Sequence, residues 1–256
     1  MCLVLVAHRV HPRLPLIVAA NRDEFHARPA QKMHWWVERP DLLAGRDLQG
    51  GGTWLGVARN GRMATVTNYR DAVPPAGRRP SRGGLVTGFL TSDHPPQDFV
   101  REIDATPYAG FNLLVADASG LAYLSNRNGG AAGLGPGIYG VANATLDTPW
   151  PKVERTKAAL ASLIEADDVN ETTLLRLLDD RRRARAHDLD TAGLPFEKAH
   201  AISAPFIVLP DYGTRCSTVV IRDDTGQCRV VERRFTPDGR TAGEAAFTFQ
   251  AGEGGP

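Results

Sequence analysis

The chain has 256 residues, 42% of them hydrophobic, and its 30 basic and 29 acidic side chains leave a formal net charge of +1. This composition supports one sizeable core and excludes disordered, collagen-like and disulfide-stapled architectures. The near balance of charge offers no global field for a nucleic-acid backbone, no stretch reaches the roughly 18 apolar residues of a membrane span, and the opening MCLVLVAHRVH lacks a signal-peptide pattern, so a soluble cytoplasmic chain is expected.

In chain order, the apolar runs Cys2 to Ala7 and Pro15 to Ala20 read as two paired strands joined across RVHPR. The charged stretch NRDEFHARP follows directly, where side chains of a buried sheet emerge at its rim. TWLGVA and RMATVTN flank the turn signal Asn60-Gly61 and give two more strands. The proline- and arginine-rich AVPPAGRRPSRGG reads as a surface loop near the site. Short helices are expected over Ser81 to Leu90 and QDFVREI, then strands at FNLLVAD, LAYLSN and IYGVAN. From Thr148 the period changes: TPWPKVERTKAALASLIEA puts Val153, Leu160, Leu163 and Ile164 on one helical face. Asn170 precedes a second helix, ETTLLRLLDDRRRARA, whose basic run Arg181 to Arg185 suits a helix C-terminus. CSTVVIRD and CRVVERRF return to strands, and residues 248–256 are expected to form a disordered tail. Strands, helices, then strands without strict βαβ alternation indicate an α+β fold in a single domain, 1–256, with largely antiparallel sheets covered by helices.

Cys2, Cys216 and Cys228 are too few and too dispersed for a disulfide framework or a CxxC site. Cys2 follows the initiator methionine, so methionine removal would leave an N-terminal cysteine that carries nucleophile and base together; it equally fits a small apolar residue opening a buried strand. Arg22 could lower a thiol pKa, and Asp23 or Glu24 could accept a proton; the same Asn21-Arg22-Asp23-Glu24 tetrapeptide also fits a strand-end salt-bridge knot. Asn68 and Asn143, each at a strand end, offer amide donors of the oxyanion-hole type or serve as turn residues. Cys216 and Cys228 are expected to be structural, with Cys216 pointing opposite to Arg215. The glycine runs lack phosphate-loop spacing and the histidines lack metal-ligand spacing, so no cofactor and no metal are expected.

The ordered motifs MCLVLVA, AANRDEFHARP, LAGRDLQGGGTWLGV, ATVTNYRD, SRGGLV, YGVANATLDTPWPKVE and YGTRCSTVV resemble the NRDE family, also called the transport and Golgi organisation family. The resemblance runs from Met1 to about Arg234 and implies an N-terminal-nucleophile hydrolase-like fold, a four-layer αββα sandwich with two stacked antiparallel sheets. The order of parts is also similar to the choloylglycine hydrolase and penicillin V acylase group. That similarity implies Cys2 as nucleophile, Arg22 and Arg215 as site arginines, and Asn68 and Asn143 as oxyanion-side amides; Asp23 joins this expected catalytic set, and Asn21, Arg22, Asp23 and Glu24 the expected ligand-binding set, on their own chemistry. It departs at the carboxylate: those acylases place an aspartate three residues after the arginine, whereas Asp23 follows Arg22 directly. Two functions are implied. One is an N-terminal cysteine hydrolase of amide or thioester bonds in an acyl-type small molecule; the other is a non-catalytic trafficking protein for haem or an acyl lipid such as acyl-CoA, tied to lipid homeostasis.

Overall fold

The computed structural model describes residues 2–71, 77, 79–127, 130–191 and 193–252. Part of the expected loop after Arg70 therefore lies outside the described residues, as does the end of the expected tail.

Two antiparallel sheets stack face to face. The first contains β1 (Leu3–His8), β2 (Leu16–Phe25), β10 (Gly137–Val141), β11 (Tyr212–Arg222), β12 (Gln227–Phe235) and β13 (Thr241–Gln250), in the order β10-β1-β2-β11-β12-β13. The second runs in sequence order through β3 (Ala30–Trp36), β4 (Arg39–Asp47), β5 (Leu55–Ala58), β6 (Met63–Asn68), β7 (Phe111–Ala116), β8 (Leu121–Ser125) and β9 (Gly130–Leu134).

Alternation along β1 and β2 divides the core. Val4, Val6, Leu16, Val18 and Ala20 meet Leu43, Leu55, Val57 and Leu114 between the sheets. Leu3, Leu5, Ile17 and Ala19 turn to the other face and meet Val153, Leu160, Leu174 and Leu178 on α3 (Pro151–Glu165) and α4 (Glu171–Leu178). Strands buried on both faces carry unbroken apolar runs, which is why LVLVA and LIVAA read so clearly. The outer face of the second sheet is covered by α1 (Gly83–Leu90) and α2 (Pro96–Glu102), through Val86, Phe89 and Val100. The architecture is an α+β, four-layer αββα sandwich. No helix among the described residues is long and apolar enough to cross a membrane.

Pro151 opens α3, where its missing N–H costs nothing. Asn170 caps α4 through a reciprocal capping box with Thr173. The helix stops at Leu178, so Arg181–Arg185 follow it in irregular backbone rather than forming its last turn. The tail also departs from expectation. Residues 248–250 complete β13, with Phe249 paired to Cys228 and its ring edge-on to Trp35 at 5.2 Å between centroids. One backbone ladder and one aromatic contact are enough to order a segment that is otherwise small and polar.

Candidate active site

Strand register sets one row of side chains across the end of the first sheet. Cys216 pairs with Arg22 on one side and Arg234 on the other. Leu3 pairs with Asn21, and Val4 pairs with both Ala20 and Val141. Continuing these ladders places Cys2 opposite Arg22 on one side and opposite Asn143 on the other. The row Asn143, Cys2, Arg22, Cys216, Arg234 therefore faces the gap between the sheets.

Asn21 and Asp23 alternate with Arg22 and turn to the helix side. The Asn21 amide donates to the carbonyls of Leu178 and Pro205, both at 2.9 Å, and its oxygen accepts from Ser217 Oγ at 2.6 Å. Asn21 is fully buried. It clamps β2 to α4 and leaves no group for a ligand, a correction to its placement among the ligand-binding residues.

Asp23 does two things at once. Its backbone N–H approaches the Cys2 sulfur and favours the thiolate, while its carboxylate accepts from Thr214 Oγ1 at 2.7 Å. Tyr212 donates its hydroxyl to the Asp23 carbonyl at 3.0 Å. Burial pushes the Asp23 carboxyl up to about 6, against the pull of the chain's amino group, Lys152, Thr214 and Arg22. Cys2 is partly exposed as a residue, with its sulfur sunk among buried groups. Burial raises its thiol above the ordinary value and the Asp23 charge adds to the rise, while the charge of the chain's amino group, the Asp23 N–H and Arg22 oppose it. Arg22 thus favours the thiolate, as its chemistry suggests, yet desolvation wins in the resting site.

Arg22 sits 3.7 Å from Asp47, which also takes a 2.8 Å bond from Arg28 Nε. Glu24 lies at the rim, 3.8 Å from Arg28. Arg215 donates to the carbonyls of Phe25 and Arg28. A cavity of about 130 Å³ opens here, lined by Arg22, Arg46, Arg215, Cys216, Glu232 and Arg234 among others. Its cations outnumber its acids. Arg215 and Cys216 both line it because the β2–β11 register shifts between Thr214 and Cys216, so a bulge replaces the strict alternation that would have opposed them. Burial and the nearby Glu232 keep the Cys216 thiol well above its usual range. Cys228 is buried as well and is pushed up to about 11 by desolvation. Wider grooves of about 410 Å³ each, at Arg39 to Asp93 and at His8 to Gly133, share no residue with this cluster.

Asn68 ends β6, and its carbonyl accepts from Asn143 Nδ2 at 2.6 Å. One hydrogen of the Asn143 amide is thereby engaged and one remains. The Asn143 carbonyl accepts from Arg70 N–H at 2.7 Å, which ties the ends of β6 and β10 together. The structure thus groups Cys2, Arg22 and Asp23 most tightly, sets Asn143 with Asn68 on one flank, and sets Arg215 with Glu24 on the other.

Two residues absent from the sequence-derived set join the cluster. Lys152, in the first turn of α3, is buried and interacts electrostatically with Asp23 and Cys2. Arg82, just before α1, donates to the Gly110 carbonyl at 2.9 Å and interacts with Cys2, Arg28 and Glu24. Their only sequence signals were their places in the TPWPKVE and SRGGLV motifs. Arg82 is positioned by a close backbone approach: a Cβ on Gly52 would lie 2.6 Å from the Gly83 carbonyl carbon. Among the described residues, no three His, Cys, Asp or Glu side chains converge as metal ligands.

Residues 1–237 match the family described as Transport and Golgi organisation 2. The chain belongs to this family. It is 35% identical over 237 residues to the bovine Transport and Golgi organization protein 2 homolog, covering 85% of this chain and 86% of that one. The human homolog is 34% identical over 239 residues, with the same coverage of both. The fold is similar to that of a mutant conjugated bile acid hydrolase from Clostridium perfringens, with a TM-score of 0.51, 7% identity and 98% of each chain covered. This chain thus shares the layered fold of that protein.

Proposed function

We propose that this family member is an N-terminal cysteine hydrolase of an amide or thioester bond in an acyl-type small molecule. The observation that carries the reading is the strand register that sets Cys2 in one row with Arg22 and Asn143, beside the Asp23 N–H. In this reaction Met1 has been removed, and the freed Cys2 amine takes the thiol proton. The sulfur attacks the acyl carbonyl, and the oxyanion takes the remaining Asn143 N–H together with a donor from Asn68. Collapse breaks the C–N or C–S bond, the amine returns its proton to the leaving group, and water then hydrolyses the S-acyl cysteine. The cationic cavity beside Arg22 suits a small anionic part of the substrate.

A second reading, retention of an acyl-lipid or haem-type ligand without turnover, draws on the resting thiol, which burial keeps protonated. A substrate panel of acyl amides and acyl thioesters separates the two, on protein whose intact mass shows loss of Met1. The hydrolase reading expects turnover that Cys2→Ala abolishes and Arg22→Ala strongly reduces. Ligand binding that needs Arg22 and survives Cys2→Ala, with no turnover of any substrate, selects the second reading.

A further inference from the structure

The chain contains 26 arginines and only four lysines. Lys32 and Lys198 are exposed, and Lys157 pairs with Asp147 at 2.6 Å. Lys152 is different: its side chain is buried at 2% exposure and its Nζ has no hydrogen-bond partner. An ammonium without a partner in the interior is costly, and such groups concentrate where chemistry uses them. The choice of residue matters too, because a lysine can lose its charge when desolvated whereas an arginine cannot.

The surroundings say which neighbour it serves. The charged and titratable groups facing Lys152 are Asp23 on β2, Cys2 before β1, Arg70 after β6 and Asp190 after α4. The last two are engaged with each other's surroundings. The Arg70 guanidinium lies 4.8 Å over the Trp150 ring and interacts with Asp190, and the Trp150 indole donates to Asp190 at 3.1 Å. Asp23 is the carboxylate whose charge Lys152 shares with the chain's amino group and Arg22, and the Asp23 N–H approaches the Cys2 sulfur.

We infer that Lys152 is a positioning residue of the Cys2 site, a buried cation that acts with the chain's amino group on the Asp23 carboxylate beside the sulfur. This rests on the reading of Cys2 as the reactive group. The lowering of Lys152 to about 8, by desolvation and against the pull of Asp23, agrees with it. In the ammonium form Lys152 also favours the thiolate; as the neutral amine it releases both anions.

Two measurements test this on the full chain without requiring turnover. In protein labelled with ¹³C at lysine Cε, four signals report the four lysines. One, missing from Lys152→Met, should titrate near pH 8 in the native protein, and its midpoint should fall further in Asp23→Asn. Second, the pH profile of Cys2 alkylation by iodoacetamide should move up by about half to one pH unit in Lys152→Met, with about a three- to tenfold slower rate at neutral pH. Lys152→Arg, which keeps the charge, should restore most of it. Four lysine signals that all titrate together above pH 10 would overturn the inference, as would an unmoved alkylation profile in folded Lys152→Met. The native-protein titration stands even if a variant fails to fold, and a failure of hydrolysis alone would leave both readouts unchanged.

Discussion

The Asp23 backbone N–H lies beside the Cys2 sulfur while the Asp23 carboxylate accepts from Thr214 Oγ1 at 2.7 Å. The sulfur and the carboxylate are therefore coupled through a single residue, and whatever fixes Asp23 fixes the position of Cys2.

Thr214 is the first test of that coupling. Its hydroxyl donates to Asp23 and accepts from the Ile207 N–H at 2.9 Å. Thr214→Val leaves two buried partners unsatisfied, at a cost of about 2–4 kcal/mol. Losing the hydroxyl also removes an influence that lowers the Asp23 carboxyl. Urea denaturation should show the stability loss, and the inflection of Cys2 alkylation governed by Asp23 should move upward from about pH 6.

The tetrapeptide should split into structural and site residues. Asn21→Ala removes three buried side-chain hydrogen bonds and should cost about 3 kcal/mol or more in urea denaturation. Glu24→Gln loses only a rim ion pair at 3.8 Å and should change stability by less than about 1 kcal/mol. Equal losses in the two variants would contradict this division.

Gly52→Ala should destabilise the fold by about 2 kcal/mol or more, because the added Cβ meets backbone rather than a movable side chain. Its second effect should be local. Arg82 shifts with the start of α1, so the Cys2 alkylation rate should change while that of Cys228 stays the same.

His8 predicts an acid-side loss of stability. Burial lowers it from 6.5 to about 4, so the folded protein keeps it neutral while the unfolded chain protonates first as pH falls. The unfolded state binds the extra proton between about pH 6.5 and 4, so stability falls across that window, on the order of 2–3 kcal/mol. Urea midpoints at pH 7 and pH 4.5 should differ by correspondingly more in wild type than in His8→Asn.

The strands that build the site were legible because β1, β2 and β11 are buried on both faces and carry unbroken apolar runs. Arg22 at the end of β2 and Cys2 ahead of β1 followed from pairing those strands. β3, β4, β9 and β13 were not legible as strands: β9 is the small, largely exposed GAAGL, and β13 carries TAGEAAFTFQ on an edge. The direction of Arg215 depends on a bulge that no period-two pattern announces. Lys152 and Arg82 reach the site through the seating of α3 and α1, a tertiary placement that sequence spacing does not contain. Asn21 shared a motif with three site residues, yet alternation sent it into the helix interface.

The central claim is that Cys2 is the acyl-accepting nucleophile. The most direct test is the intact mass of mature protein quenched in acid during reaction with a series of acyl thioesters, with the adduct mapped by peptide fragmentation. One acyl addition is expected, located on Cys2 and absent from Cys2→Ala. An adduct carried by another residue, or bound ligand with no covalent addition across the series, would contradict it.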